Sequence, residues 1–144
     1  MSAGEAQARA RWLRGAILFG LGYFLVGRLF AVPGEHARAW RLAAWVVSGL
    51  LYAMHFRFEL VSLRNPPRML ALHLAVAVAI GAFALALALL MRSVAVQGSL
   101  DPKWLLALVL FPLVTALPAF LVALMGAVAL ARRGRSTGDG TPAV

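Results

Sequence analysis

The chain has 144 residues, of which 62% are hydrophobic and only 13% are charged, and its mean hydropathy is +0.86. Soluble domains have an apolar share of roughly 45–50%, and a chain of this size cannot enclose so much apolar surface in its own core. The composition therefore excludes an ordinary soluble domain and predicts a membrane protein. The net charge of +9 does not indicate nucleic-acid binding, because the basic residues lie in tails and loops between apolar runs. Since there is no cysteine, disulfides and cysteine-ligated metal sites are excluded.

Four apolar runs follow one another, and each is long enough to cross a hydrocarbon core of about 30 Å as a helix. They lack the strict alternation of membrane-spanning strands. The sequence thus predicts an all-α fold, a bundle of four transmembrane helices formed by two antiparallel hairpins in a single domain over residues 1–133. The expected spans are about 12–32, 40–63, 68–92 and 102–131, and the Gly-, Ser- and Pro-containing segment 134–144 is expected to be a disordered tail.

Helix-breaking residues separate these runs. The first run follows a basic leader but lacks a small-x-small cleavage site, so we expect it to be retained as a helix that ends at Pro33-Gly34. Asn65 is expected to cap the third helix, with Pro66 in its first turn. Asp101 is expected to cap the fourth helix, with Pro102 at its first position.

A polar stripe runs along the second helix. Its members recur at steps of four, three, four and three, which places them on one helix face: Ser48, Tyr52, His55, Glu59 and Ser62. Ionisable residues inside a bilayer are costly, so they normally face protein or water and often mark function. Tyr52 lies near mid-membrane, as do Tyr23 and Thr115 on their own spans, which suggests a small polar group there.

Depth in the membrane selects a partner for Glu59. At ~1.5 Å per residue, Glu59 and His73 lie about 6 and 7.5 Å below the same surface, whereas His55 lies about 12 Å deep. We therefore expect Glu59 to pair with His73 across the Asn65-Pro66-Pro67 turn. This pair is either a structural hydrogen bond between helices or a protonatable relay or ligand site.

The third and fourth spans suggest how the helices pack. Small side chains allow close approach in lipid, which predicts an interface at Ala75, Ala79, Ala82, Gly20 and Gly27, either within the bundle or between subunits.

Pro112 and Pro118 lie inside the fourth span, with Thr115 between them, and each proline obstructs the carbonyl four residues earlier. We therefore expect a kink, either as simple bending or as a broken helix that lines a cavity.

The basic residues predict the orientation. With four spans, nine of the 14 Lys and Arg residues lie on the side of both termini and five on the other. The positive-inside bias predicts a multi-pass protein of the cell membrane, the inner membrane in a bacterium, with both termini cytoplasmic. On that side Arg57, Arg64 and Arg68 are expected to reach anionic lipid headgroups.

No catalytic motif is present, and Glu59 is the only acidic residue in any span, which argues against an enzyme. The sequence favours an accessory or oligomer-forming subunit of a membrane assembly, in a homo-oligomer or with other membrane subunits and without nucleic acid. The alternative is a minimal transporter, channel or proton-conducting unit that uses the Tyr52/His55/Glu59 stripe. A membrane enzyme or a haem- or quinone-binding protein comes third. No cofactor is predicted, and haem or a metal ion at His55 and His73 is the minor alternative.

Overall fold

The computed structural model of the chain describes residues 3–29, 36–99 and 102–136. These residues form four helices and no strand, which confirms the all-helical prediction: α1 is Ala3–Leu29, α2 is Ala37–Phe58, α3 is Pro67–Gln97 and α4 is Pro102–Ser136. A π-helical turn, Glu59–Leu63, extends α2. All four helices are long and apolar enough to cross a membrane.

The helix ends differ in part from the expected ones. The N-cap of α3 is Pro66, which has no side chain able to cap, so the prediction that Asn65 caps this helix is wrong. The Asn65 amide instead bonds a buried carboxylate, and a hydrogen bond to a charged group is stronger than one to an exposed helix end. At the other end of the chain α4 continues to Ser136, so residues 134–136 of the expected tail are helical. Residues 137–144, Pro33-Gly34 and Asp101 lie outside the described residues.

The helices alternate in direction. Gly15 of α1 faces Phe58, and Gly22 faces Leu51, so α1 and α2 are antiparallel. The central helix is α3, which packs most extensively against α4 and next against α1, and only slightly against α2. Packing between α1 and α3, which are not consecutive in the chain, is therefore more extensive than packing within the predicted α1–α2 hairpin.

Helices α1 and α3 approach each other closely at Gly20 and Gly81. A Cβ atom added at Gly81 would lie 2.7 Å from the Gly20 carbonyl oxygen. Two of the alanines predicted to form an interface, Ala75 and Ala82, are buried, whereas Ala79 is half-buried. A close contact with α1 thus lies on the face of α3 next to the alanine face.

Helix α4 continues through both of its internal prolines, Pro112 and Pro118. The Thr115 hydroxyl donates to the carbonyls of Phe111 and Pro112, at 2.9 and 3.1 Å. Each proline removes the backbone donor of the carbonyl four residues before it. Thr115 bonds neither of those carbonyls, so it does not replace the hydrogen bonds that the prolines remove. The expected kink remains a prediction.

Candidate functional site

Four polar side chains meet at the end of the bundle where α2 ends and α3 begins. They are His55, Glu59, Asn65 and His73, which together we call the polar cluster. His55 and Glu59 are each 1% exposed, and His73 is 8% exposed. Glu59 is the first residue of the π-helical turn, a local widening of the helix that is frequent at functional sites.

The Glu59 carboxylate is the centre of the polar cluster. Its Oε2 atom lies 3.0 Å from Nδ1 of His73, which is the contact that the depth comparison predicted. The same oxygen accepts a hydrogen bond of 2.8 Å from the side-chain amide of Asn65. Sequence reasoning missed Asn65, because an asparagine before two prolines was assigned to capping. Its position six residues after Glu59, in the turn that returns the chain to His73, was the available signal.

Two proton arrangements fit these distances. In the first, Glu59 is ionised, and both the N–H at Nδ1 of His73 and the side-chain amide of Asn65 donate to its carboxylate. The Asn65 amide nitrogen and the His73 Nδ1 atom, 3.2 Å apart, are then both donors and do not bond to each other. With Nδ1 unprotonated, that nitrogen accepts from Asn65, and its contact with Glu59 then requires a proton on the carboxyl group. The cluster can therefore hold one proton on either the carboxyl or the imidazole side.

His55 is a neighbour of Glu59 rather than a hydrogen-bond partner. Its Nε2 atom lies 3.8 Å from Oε1 of Glu59, which is beyond hydrogen-bond distance. The ring stacks on Phe19, with centroids 4.0 Å apart and planes 8° from parallel. Its Nδ1 atom is buried without a hydrogen-bond partner among the described residues. Helix α1 covers the cluster from one side, since Trp12 also packs on His73 with ring centroids 4.7 Å apart.

The rest of the polar stripe does not belong to the cluster. Ser48 and Tyr52 line a cavity of about 530 Å³ near the middle of the bundle, together with Tyr23, Thr115 and Pro118. The Tyr52 hydroxyl donates to the carbonyl of Ala119, whereas the Tyr23 hydroxyl is buried without a partner in the described part of the chain. The three hydroxyl residues expected near mid-membrane thus share one cavity.

Ser62 is exposed, although its spacing predicted the same face as Glu59. The π-helical turn contains more residues per turn than an α-helix, so a step of three no longer returns to that face. Arg57, Arg64 and Arg68 are also exposed at this end of the bundle. Gly27 of the predicted interface faces Leu85 of α3.

Within residues 3–29, 36–99 and 102–136, no group of three His, Cys, Asp or Glu side chains is placed to hold a metal ion. The buried carboxylate of Glu59 interacts with Asn65 and His73. The amide, the imidazole and the carboxyl group can form hydrogen bonds with one another, and a proton can move between the imidazole and the carboxyl group.

Comparisons of the chain with protein-family models, with characterised proteins and with solved structures gave no match. The fold and the site define a class of protein. It is an all-helical protein whose four helices are long and apolar enough to cross a membrane, with a buried ionisable cluster at one end of the bundle.

Proposed function

We propose that this chain is an accessory or oligomer-forming subunit of a membrane assembly, and that the polar cluster holds its own helices together. The observation that carries this proposal is the burial of His55 and Glu59, each of which is 1% exposed. Side chains of α1, α3 and the connecting turn surround them. A group that exchanges protons or ions with both sides of a membrane needs access to water, whereas a structural hydrogen bond in a bilayer is favoured by exclusion of water.

Helix α4 offers one of the surfaces left for a partner, beside the exposed faces of α1 and α2. None of the most apolar window of this helix is buried inside the bundle, compared with 39% of the corresponding window of α3. Leu113 and Leu117 of α4 are 61% and 63% exposed. We therefore propose that α4 contacts another copy or another membrane subunit, and that the remaining exposed faces contact lipid.

The test is native mass spectrometry after purification in mild detergent. We expect a species larger than the 15.4 kDa chain, with either several copies or a second protein. Replacing Leu113 and Leu117 together by alanine should shift this species towards the single chain, because it removes apolar contact area from the interface. Leu42→Ala with Leu50→Ala on α2 is the matched control, since these leucines are 67% and 61% exposed. A single chain under all conditions contradicts the proposal.

We also propose that the protein lies in the cell membrane with both termini in the cytoplasm. The support is the excess of basic residues on the side of the termini, nine against five. Because the chain has no cysteine, Ser2→Cys and Ser99→Cys each introduce a unique thiol. A membrane-impermeant maleimide added to intact cells should label Ser99→Cys and not Ser2→Cys. Labelling of Ser2→Cys from outside contradicts this topology.

Proton conduction is the second candidate, and the two proton arrangements of the Glu59–His73 pair favour it. In that case Glu59→Gln should abolish pH-driven flux into vesicles while the fold is retained, because an amide keeps the hydrogen bond but carries no exchangeable charge. Ser62→Ala is the control, since Ser62 is exposed and lies outside the cluster. Absence of flux for the wild-type protein rejects this candidate and leaves the structural role.

A further inference from the structure

A cleft of about 430 Å³ lies where α1 and α3 begin, beside the polar cluster. Its lining combines two kinds of surface. Arg9 and Arg11, which carry guanidinium groups, are among its lining residues, and so are the apolar residues Leu72 and Val76. Asn65 and His73 belong to both the cleft and the polar cluster. The cleft therefore presents positive charge next to apolar surface.

The two arginines have no acidic partner among the side chains that the structure describes, and both are exposed. The acidic residue of the polar cluster does not neutralise them, because the Glu59 carboxylate is buried and bonded to Asn65 and His73. Trp12 also lines the cleft, and its indole N–H is buried without a hydrogen-bond partner in the described residues.

We propose that this cleft binds an acidic lipid, with the headgroup at Arg9 and Arg11 and part of an acyl chain along Leu72 and Val76. Guanidinium groups bind phosphate through two parallel hydrogen bonds, and this geometry suits an anionic headgroup. The apolar lining suits a hydrocarbon chain and not a fully hydrated ion. The volume lies within the range of ~300–1,000 Å³ typical of ligand sites. Trp12 marks the level of the membrane interface, where such a headgroup is found.

The test measures retention of phosphatidylglycerol by the purified full-length protein, using native mass spectrometry and lipid titration. We expect the Arg9→Gln, Arg11→Gln double variant to bind this lipid at least roughly tenfold more weakly, because each arginine contributes to attraction of the anionic headgroup. Arg14→Gln with Arg132→Gln is the matched control. It removes the same charge from exposed positions at the same end of the bundle, outside the cleft, and should retain the lipid.

Two further experiments distinguish binding of an acidic lipid from binding of a phosphate group alone. Val76→Trp should fill the apolar part of the cleft and weaken binding while both arginines remain. Phosphatidylcholine and inorganic phosphate should bind much more weakly than phosphatidylglycerol, since one lacks the net charge and the other lacks the chain. Equal loss in the two double-arginine variants would indicate only diffuse surface attraction and would overturn the proposal. Equal binding of inorganic phosphate, or no retained phosphatidylglycerol, would overturn it as well.

Discussion

Replacement of Gly81 by alanine is expected to force α1 and α3 apart and to destabilise the bundle by about 1–3 kcal/mol. The added Cβ would lie 2.7 Å from the Gly20 carbonyl oxygen and 2.7 Å from the Cβ of Tyr23. It would also lie 3.3 Å from the backbone nitrogen of Phe24. None of these atoms can move away by a side-chain rotation, so the helices themselves must shift. Close packing is a main source of helix association in lipid, and this shift therefore weakens the whole α1–α3 contact.

Gly49→Ala is the matched control for this substitution. Gly49 also lies inside a helix, but a Cβ atom there would meet nothing within 4 Å. Alanine is a better helix former than glycine, so this variant should be neutral or more stable by up to ~1 kcal/mol. Both variants can be compared by thermal or denaturant unfolding in the same detergent micelles. Equal stability of Gly81→Ala and Gly49→Ala would show that α1 and α3 are not in tight contact.

His73→Leu is expected to have the larger effect, a loss of about 3–5 kcal/mol of unfolding free energy. The substitution removes the imidazole 3.0 Å from the Glu59 carboxylate and leaves that carboxylate with Asn65 as its one remaining hydrogen-bond donor among the described residues. Because Glu59 is 1% exposed, water cannot replace the missing partner without opening the bundle. Removal of one member of a buried ionic pair is costly for this reason, even when the intact pair contributes little net stability.

A second substitution separates the buried charge from simple loss of packing. In the His73→Leu background, Glu59→Leu should recover a large part of the lost stability, since no unpaired carboxylate then remains. Glu59→Gln in the wild-type background should cost much less than His73→Leu, because the amide can still bond with Asn65 and His73. Unfolding measurements on these variants form a double-mutant cycle. Additive losses for Glu59→Leu and His73→Leu would show that the two side chains do not interact.

The order of the helices depends on local sequence and could be predicted without a structure. Their ends could not, since α1 begins at Ala3 rather than near residue 12 and α3 continues to Gln97 rather than to about residue 92. Apolar runs of this length form helices in any apolar surroundings, because backbone groups must then bond within the segment. The pairing of Glu59 with His73 was also predictable, since the two residues flank one short turn and their depths follow from the rise per residue alone. Residue spacing did not predict the side-chain positions after Glu59. The π-helical turn there rotates Ser62 off the face that carries Glu59, so Ser62 is exposed.

Contacts between distant segments were decided by the tertiary structure. Helical periodicity shows which residues share a face but not which helix that face meets, so it could not show that Gly81 of α3 meets Gly20 of α1. The role of Asn65 likewise depends on a competition between capping a helix and bonding a buried carboxylate, which only the burial of Glu59 settles. The cleft beside Arg9 and Arg11 exists only because α1 and α3 begin at the same end of the bundle. Sequence alone therefore determined the order of the helices and the Glu59–His73 pair, and packing between non-consecutive helices determined the α1–α3 contact and the cleft.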